Sequence, residues 1–172
     1  MKTNPVIEAI HARRSTRSFL DKPLVREDIE TIVECGRWAP SANNRQEWMF
    51  VVLDDRERIA QLAEVIRVEL GRASYDMYAP QAIILVAHDK EAPFAREDDG
   101  CALENMFLAA ESLGLGSVWI NQLQGICDRP AIRFELDALG VPADYEVHGI
   151  CALGYVGQET PSHPRKSRVV WA

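Results

Sequence analysis

Three arginines, Arg13, Arg14 and Arg17, fall within five positions and are interleaved with Ser15 and Thr16; Arg165, Lys166 and Arg168 fall within four. Six of the 19 cations thus occupy nine positions, where even spreading would place about one. Guanidinium groups are permanently charged and fork onto phosphate oxygens, while hydroxyls and backbone N–H groups can complete a cradle. Two knots this short suit a single phosphate group; a nucleic acid needs a longer basic stripe. The competing account of the first knot is a solvated helix end, where cations are favoured by the dipole.

A second polar cluster is the stretch Pro40 to Gln46. Ser41, Asn43, Asn44 and Gln46 can donate to and accept from the edge of a flat heterocycle, although the same residues suit a plain helix-to-strand connector. Trp48, just beyond, is expected in the core. Other chemistries are excluded by spacing. Gly114-Leu115-Gly116 lacks the third glycine of a dinucleotide-binding turn and precedes a strand, and neither a P-loop nor a GxSxG elbow is present. The cysteines (Cys35, Cys101, Cys127, Cys151) form no CxxC pair and the histidines (His11, His88, His148, His163) no HxxxH, so no metal is expected. Most of the cysteines should be buried as small hydrophobes.

The elements that must position these residues belong to one core. A chain of 172 residues with 47% hydrophobic and 26% charged residues is ordinary globular composition for a single unit spanning 1–172. A net charge of −7 repels nucleic acid and anionic membranes. The longest apolar run, Ala82 to Ala87, is far short of the ~18–20 residues that cross a bilayer. With no apolar leader after Met1, the chain is expected to be cytoplasmic.

Asn4 and Pro5 suit the N-cap and first turn of a helix with Val6, Ile7 and Ile10 on one face. Val25, Ile29, Ile32 and Val33 predict a second helix, closed by Gly36. Met49 to Leu53 predicts a strand, and Asp54-Asp55 opens a helix burying Ile59, Leu62, Ala63, Ile66 and Leu70. Ala82 to Ala87 is a buried central strand. A helix from Asp98 to Leu113, apolar nearly all round, must be central or lie in a subunit interface. Ser117 to Ile120 is a strand, Pro130 to Leu139 a helix and Glu146 to Leu153 the last strand, which together make an α+β fold. The tail 158–172 ends Val169-Val170-Trp171-Ala172, an apolar close that something should bury.

Four blocks in order resemble the small FMN-dependent nitroreductase family. They are Arg13-Arg14-Ser15-Thr16-Arg17-Ser18-Phe19; Ala39-Pro40-Ser41 through Asn44 and Gln46 to Trp48; Asp99-Gly100 through Asn105 and Ala110 to Gly116; and Ala152-Leu153-Gly154-Tyr155 followed by Pro164-Arg165-Lys166. Glu47 stands where many members have Pro.

The resemblance implies helices packed around a small, mostly antiparallel sheet, in an intertwined homodimer whose tail docks on the partner subunit. Two FMN sites would lie in the interface, with NADH or NADPH as electron donor. Carried over by position, Arg13, Arg14, Ser15 and Arg17 would hold the phosphate, ribityl chain and pyrimidine edge, and Arg165 would meet the phosphate. Ser41, Asn44 and Gln46 would come from the other subunit's loop, and Trp119, Ile120 and Asn121 would pass near the ring. No side chain need act as a catalytic acid or base, because the flavin does the hydride chemistry. Arg17 would stabilise negative charge on the reduced ring. The implied activity is ping-pong reduction of nitroaromatics, quinones or similar flat small molecules. A flavin sensor or store, and an enzyme of reductive dehalogenation or flavin fragmentation, are the alternatives.

Overall fold

The chain is described by a computed structural model over residues 2–171, so Met1 and Ala172, the ends of the expected unit, lie outside it. Helix α1 (Pro5–Ala12) opens as its sequence dictates: the Asn4 side chain accepts from the Ile7 N–H, with Pro5 in the first turn. Helix α2 (Arg26–Arg37) follows, then strand β1 (Trp48–Leu53) and helix α3 (Arg56–Glu69), whose N-cap Asp55 accepts from the N–H groups of Glu57 and Arg58. Strand β2 (Ala82–Asp89), helix α4 (Ala95–Ser112), strand β3 (Gly116–Ile120), helix α5 (Pro130–Ala138) and strand β4 (Tyr145–Gly154) complete the order.

The strands form one sheet in the order β1-β2-β4-β3 with every neighbouring pair antiparallel. Residues of β2 and β4 alternate between two cores. Ile83, Leu85, Ile150 and Ala152 pack with Ile59, Leu62 and Ile66 of α3 and Ile132 and Leu136 of α5. Ile84, Val86, Cys151 and Leu153 pack on the other face with Ile29 and Ile32 of α2 and Leu103, Met106, Phe107 and Ala110 of α4. The α+β expectation therefore holds, with α4 central, since it packs on α2 and touches all four strands.

Three expectations need correction. Gly36 does not close α2, which runs on to Arg37; a Cβ there would lie 2.9 Å from Met106 Cγ, so the glycine permits the close crossing of α2 over α4. Helix α4 begins at Ala95, three residues before Asp98, because the polar residues ahead of its apolar stripe also adopt helix. Only Cys127 and Cys151 of the four cysteines are buried; Cys35 is half-buried and Cys101 exposed. The tail also stands apart: Val169, Val170 and Trp171 are 73%, 84% and 94% exposed, so none of the described residues of the chain buries them.

Candidate functional site

The first basic knot is zipped against one end of the sheet. The Thr16 N–H donates to the Ser117 carbonyl of β3 at 2.9 Å, Leu20 N–H to Tyr155 at 2.9 Å, and Gly157 N–H to Ser18 at 2.8 Å. Three glycines allow this approach. A Cβ on Gly116 would lie 2.6 Å from Thr16 Oγ1, one on Gly154 2.7 Å from the Phe19 ring, and one on Gly157 2.8 Å from Ser18 Oγ. Gly116 of the third block, Gly154 of the fourth and Gly157 just after it are thus the mould for the first.

The arginines of the knot are used differently. The Arg14 guanidinium donates through Nη1 to the carbonyls of His11 (2.6 Å), Ala12 (3.0 Å) and Arg13 (2.8 Å), and through Nη2 to Ser162 Oγ at 2.9 Å. It closes the C-terminus of α1 and ties it to the tail. Arg13 Nε forms an ion pair with Glu104 Oε1 of α4 at 3.5 Å, and the buried Nε–H makes no hydrogen bond among the described residues. Arg17 is exposed, with one weak contact at 3.4 Å to the Ser15 carbonyl, which also accepts from Thr160 Oγ1 at 3.0 Å. Two guanidinium groups there retain donors for an anion.

The polar loop is a separate constellation. Around a short 3-10 turn at Ala42–Asn44, the residues Asn43, Asn44 and Gln46 each adopt φ 54°, a left-handed conformation that asparagine tolerates and glutamine rarely adopts. Ser41 Oγ accepts from the Gln46 N–H at 3.1 Å, and Gln46 Nε2 donates to Asn44 Oδ1 at 2.9 Å. Asn44 and Gln46 line a polar cavity of about 570 Å³ with Arg37, Trp38 and Trp48. Trp48 is therefore half-buried on a cavity wall rather than in the core. Among the described residues no hydrogen bond or ion pair joins this loop to the basic knot.

The remaining candidates scatter. Trp119 is 42% exposed and tilts against Phe107 with ring centroids 6.2 Å apart. Ile120 is 2% exposed and packs in the core, so only its backbone can reach a ligand. The Asn121 side chain donates to Gln124 Oε1 at 3.0 Å. Arg165 lies on the exposed tail.

Sequence reasoning missed a buried polar cluster under the sheet. Asp99 of α4, fully buried, accepts from His88 Nδ1 at 2.8 Å and from His148 Nδ1 at 2.7 Å, while His148 Nε2 lies 2.7 Å from Glu146 Oε1. The β2–β4 ladder pairs Val86 with Gly149 but Ala87 with Val147, so His148 is the extra residue of a β-bulge. The bulge turns it to the side of α4, together with Gly149, whose Cβ would lie 2.5 Å from Leu103. Both ring nitrogens of His148 face carboxylates, which calls for the doubly protonated ring. Burial works against that charge, yet the hydrogen bonds to Asp99 and Glu146 outweigh it and hold the His148 pKa above the ordinary histidine value. Neighbouring Asp98, also buried, accepts from the Ala42 N–H of the polar loop at 3.0 and 3.2 Å. The one readable signal was Asp98-Asp99 at the start of an otherwise apolar helix. Among the described residues no group of His, Cys, Asp and Glu could hold a metal ion, and no helix is long and apolar enough to cross a membrane.

Comparison with known proteins agrees with the four blocks. The family model described as "Nitroreductase family" matches residues 10–155. A crystal structure of a nitroreductase with bound FMN from Bacteroides fragilis superposes with a TM-score of 0.93 at 34% identity, covering 99% of each chain. A nitrobenzene nitroreductase of Ectopseudomonas oleovorans is 37% identical, covering 95% of this chain and 92% of its own. An NADPH-flavin oxidoreductase of Vibrio harveyi is 32% identical, covering 94% of this chain and 70% of its own. The knot, Gly116 and Gly154 that mould it, and the polar loop all fall within the matched span, and the chain belongs to the nitroreductase family.

Proposed function

We propose that this chain is an FMN-dependent oxidoreductase that draws reducing equivalents from NADH or NADPH and reduces flat acceptors such as nitroaromatics or quinones, in ping-pong fashion. The observation that carries the reading is the Arg13 Nε–H, buried beside the exposed Arg17 and making no hydrogen bond among the described residues, although it is ion-paired to Glu104 at 3.5 Å. A buried donor left unpaired costs about 1–3 kcal/mol, and a phosphate oxygen is a partner of the right charge and geometry. The residues present therefore fit FMN.

Arg13, Ser15 and Arg165 would hold the phosphate, with Arg14 supporting the knot from behind. Arg17 would face the pyrimidine edge, where a fixed cation favours added negative charge. Trp119, the Ile120 backbone and Asn121 would border the ring. Bound FMN supplies the hydride-accepting and hydride-donating centre, so no protein acid or base is required.

The loop residues Ser41, Asn44 and Gln46 would serve a site completed by a second copy of the chain. An apolar groove of about 850 Å³, lined by Val6, Ala9, Cys35, Trp38 and Leu108 between α1, α2 and α4, supports that homodimer. Trp38 on its rim is 79% exposed, and the apolar end of the tail 158–172 would wrap the partner. Large exposed apolar surface of this kind marks an interaction site.

The test is direct. Purified protein should be yellow and release about one FMN per chain; NADH or NADPH should bleach the flavin within seconds, and an acceptor should restore the colour. A colourless protein that ignores added FMN would refute the reading, and flavin that NAD(P)H does not reduce would favour a binding role without turnover.

A further inference from the structure

The polar loop is strained, and one long-range bond holds it. Three left-handed residues within four positions persist only when the surroundings over-determine them. Most of the loop's hydrogen bonds are local: Asn44 N–H to the Ser41 carbonyl, Arg45 N–H to Ala42, Gln46 N–H to Ser41 Oγ, and Gln46 Nε2 to Asn44 Oδ1. Among the described residues, the hydrogen bond that ties residues 41–46 to another element is Ala42 N–H to the Asp98 carboxylate, across 56 positions of sequence. Asp98 is 8% exposed, and both of its oxygens share that single N–H. A buried carboxylate needs donors, so the pull on Ala42 is strong.

Helix α4 has no side-chain cap at its N-terminus, and a bare first turn is prone to fray. Here the next residue prevents it. Asp99 is bound to His88 of β2 and His148 of β4, and His148 in turn to Glu146, so the turn that carries Asp98 is bolted to two central strands.

We propose that Asp98 is a positioning residue for the flavin: it holds the 41–46 loop in its strained binding form through the Ala42 amide, from a helical turn that Asp99 and its two histidines fix to the sheet. The inference rests on the FMN reading above. Neither aspartate touches the ligand; their effect passes through Ser41, Asn44 and Gln46.

The test is a double-mutant cycle read by FMN titration of the apo-protein, following flavin fluorescence. Asp98→Ala removes the acceptor. Ala42→Pro removes the donor at a residue with helical backbone, after Ser41 at φ −130° and ψ 155°, a conformation proline accepts in its predecessor. Each should raise the dissociation constant about 10- to 100-fold, the range of a lost charge-assisted hydrogen bond. The double variant should be no worse than the poorer single one, because the same bond is lost once. Asp98→Asn keeps an acceptor oxygen without the charge, about half the strength, and should weaken binding only about 3- to 10-fold. Additive losses, or an Asp98→Ala protein with wild-type affinity, would overturn the proposal. If Asp98→Ala fails to fold, Ala42→Pro and Asp98→Asn decide alone: wild-type affinity in the first, or loss in the second as large as in the first, refutes it. A wild-type protein that binds no FMN would instead sink the flavin reading, so the two failures are distinct.

Discussion

Removing the Asp99 carboxylate by Asp99→Ala should unfold the protein well below its wild-type midpoint. The carboxylate is fully buried and faces His88 and His148, 1% and 5% exposed. Without it, two buried Nδ1–H donors lose their acceptor, at about 1–3 kcal/mol each. The charged His148 ring keeps only Glu146, and breaking one side of a buried ion pair costs about 3–5 kcal/mol. The two routes agree on about 3–5 kcal/mol, which at roughly 2–4 °C per kcal/mol for a chain of this size lowers the melting temperature by about 6–20 °C. Circular dichroism with urea and heat, at one fixed protein concentration, measures it. The loss should also depend on pH. The folded His148 pKa lies above its unfolded value, so its contribution is fully present below about pH 6.5 and is lost as pH rises through the folded pKa. The gap between wild type and Asp99→Ala should therefore narrow on the alkaline side. A loss below about 1 kcal/mol, or a gap that widens with pH, would refute the account of the cluster.

The outer form of the fold was legible because local signals agreed with tertiary packing. Asn4-Pro5 marked α1, Asp55 capped α3, and the unbroken run at Ala82 to Ala87 announced a strand buried on both faces. Gly36 misled because a glycine at a helix crossing and a glycine at a helix end look alike in one dimension. The candidate site was proposed from sequence for a similar reason. The basic knot and the polar loop are contiguous in sequence, so their chemistry shows without a fold. The Asp99 cluster is not contiguous: it joins three elements, and His148 faces α4 only because a one-residue bulge reverses the alternation of β4. Strict period-two alternation would have put Glu146 and His148 on the opposite face.

Further outcomes follow from the same geometry. Gly149→Ala would set a Cβ 2.5 Å from Leu103 and 2.7 Å from the Trp119 indole nitrogen, and should cost about 1–3 kcal/mol in urea unfolding. Deleting everything after Gly157 should leave a chain that sediments as a smaller species and loses FMN, since Arg165 and the exposed Val169, Val170 and Trp171 leave together. The sharpest test separates the two neighbouring arginines. Arg14 donates to three carbonyls at the end of α1, so Arg14→Ala should cost about 1–3 kcal/mol of stability and weaken FMN only as far as the knot loosens. Arg13 has a buried donor that makes no hydrogen bond among the described residues, and only a part-exposed ion pair with Glu104, so Arg13→Ala should change stability without flavin by less than about 1 kcal/mol. Its cost should appear on binding, at roughly 2–5 kcal/mol, or about 30-fold to several-thousand-fold in FMN affinity. Paired melting and FMN titration of the two variants measure both quantities at once. If Arg13→Ala melts early yet binds FMN as wild type does, while Arg14→Ala keeps its melting point and loses the flavin, the assignment of the knot is reversed and the phosphate belongs to Arg14.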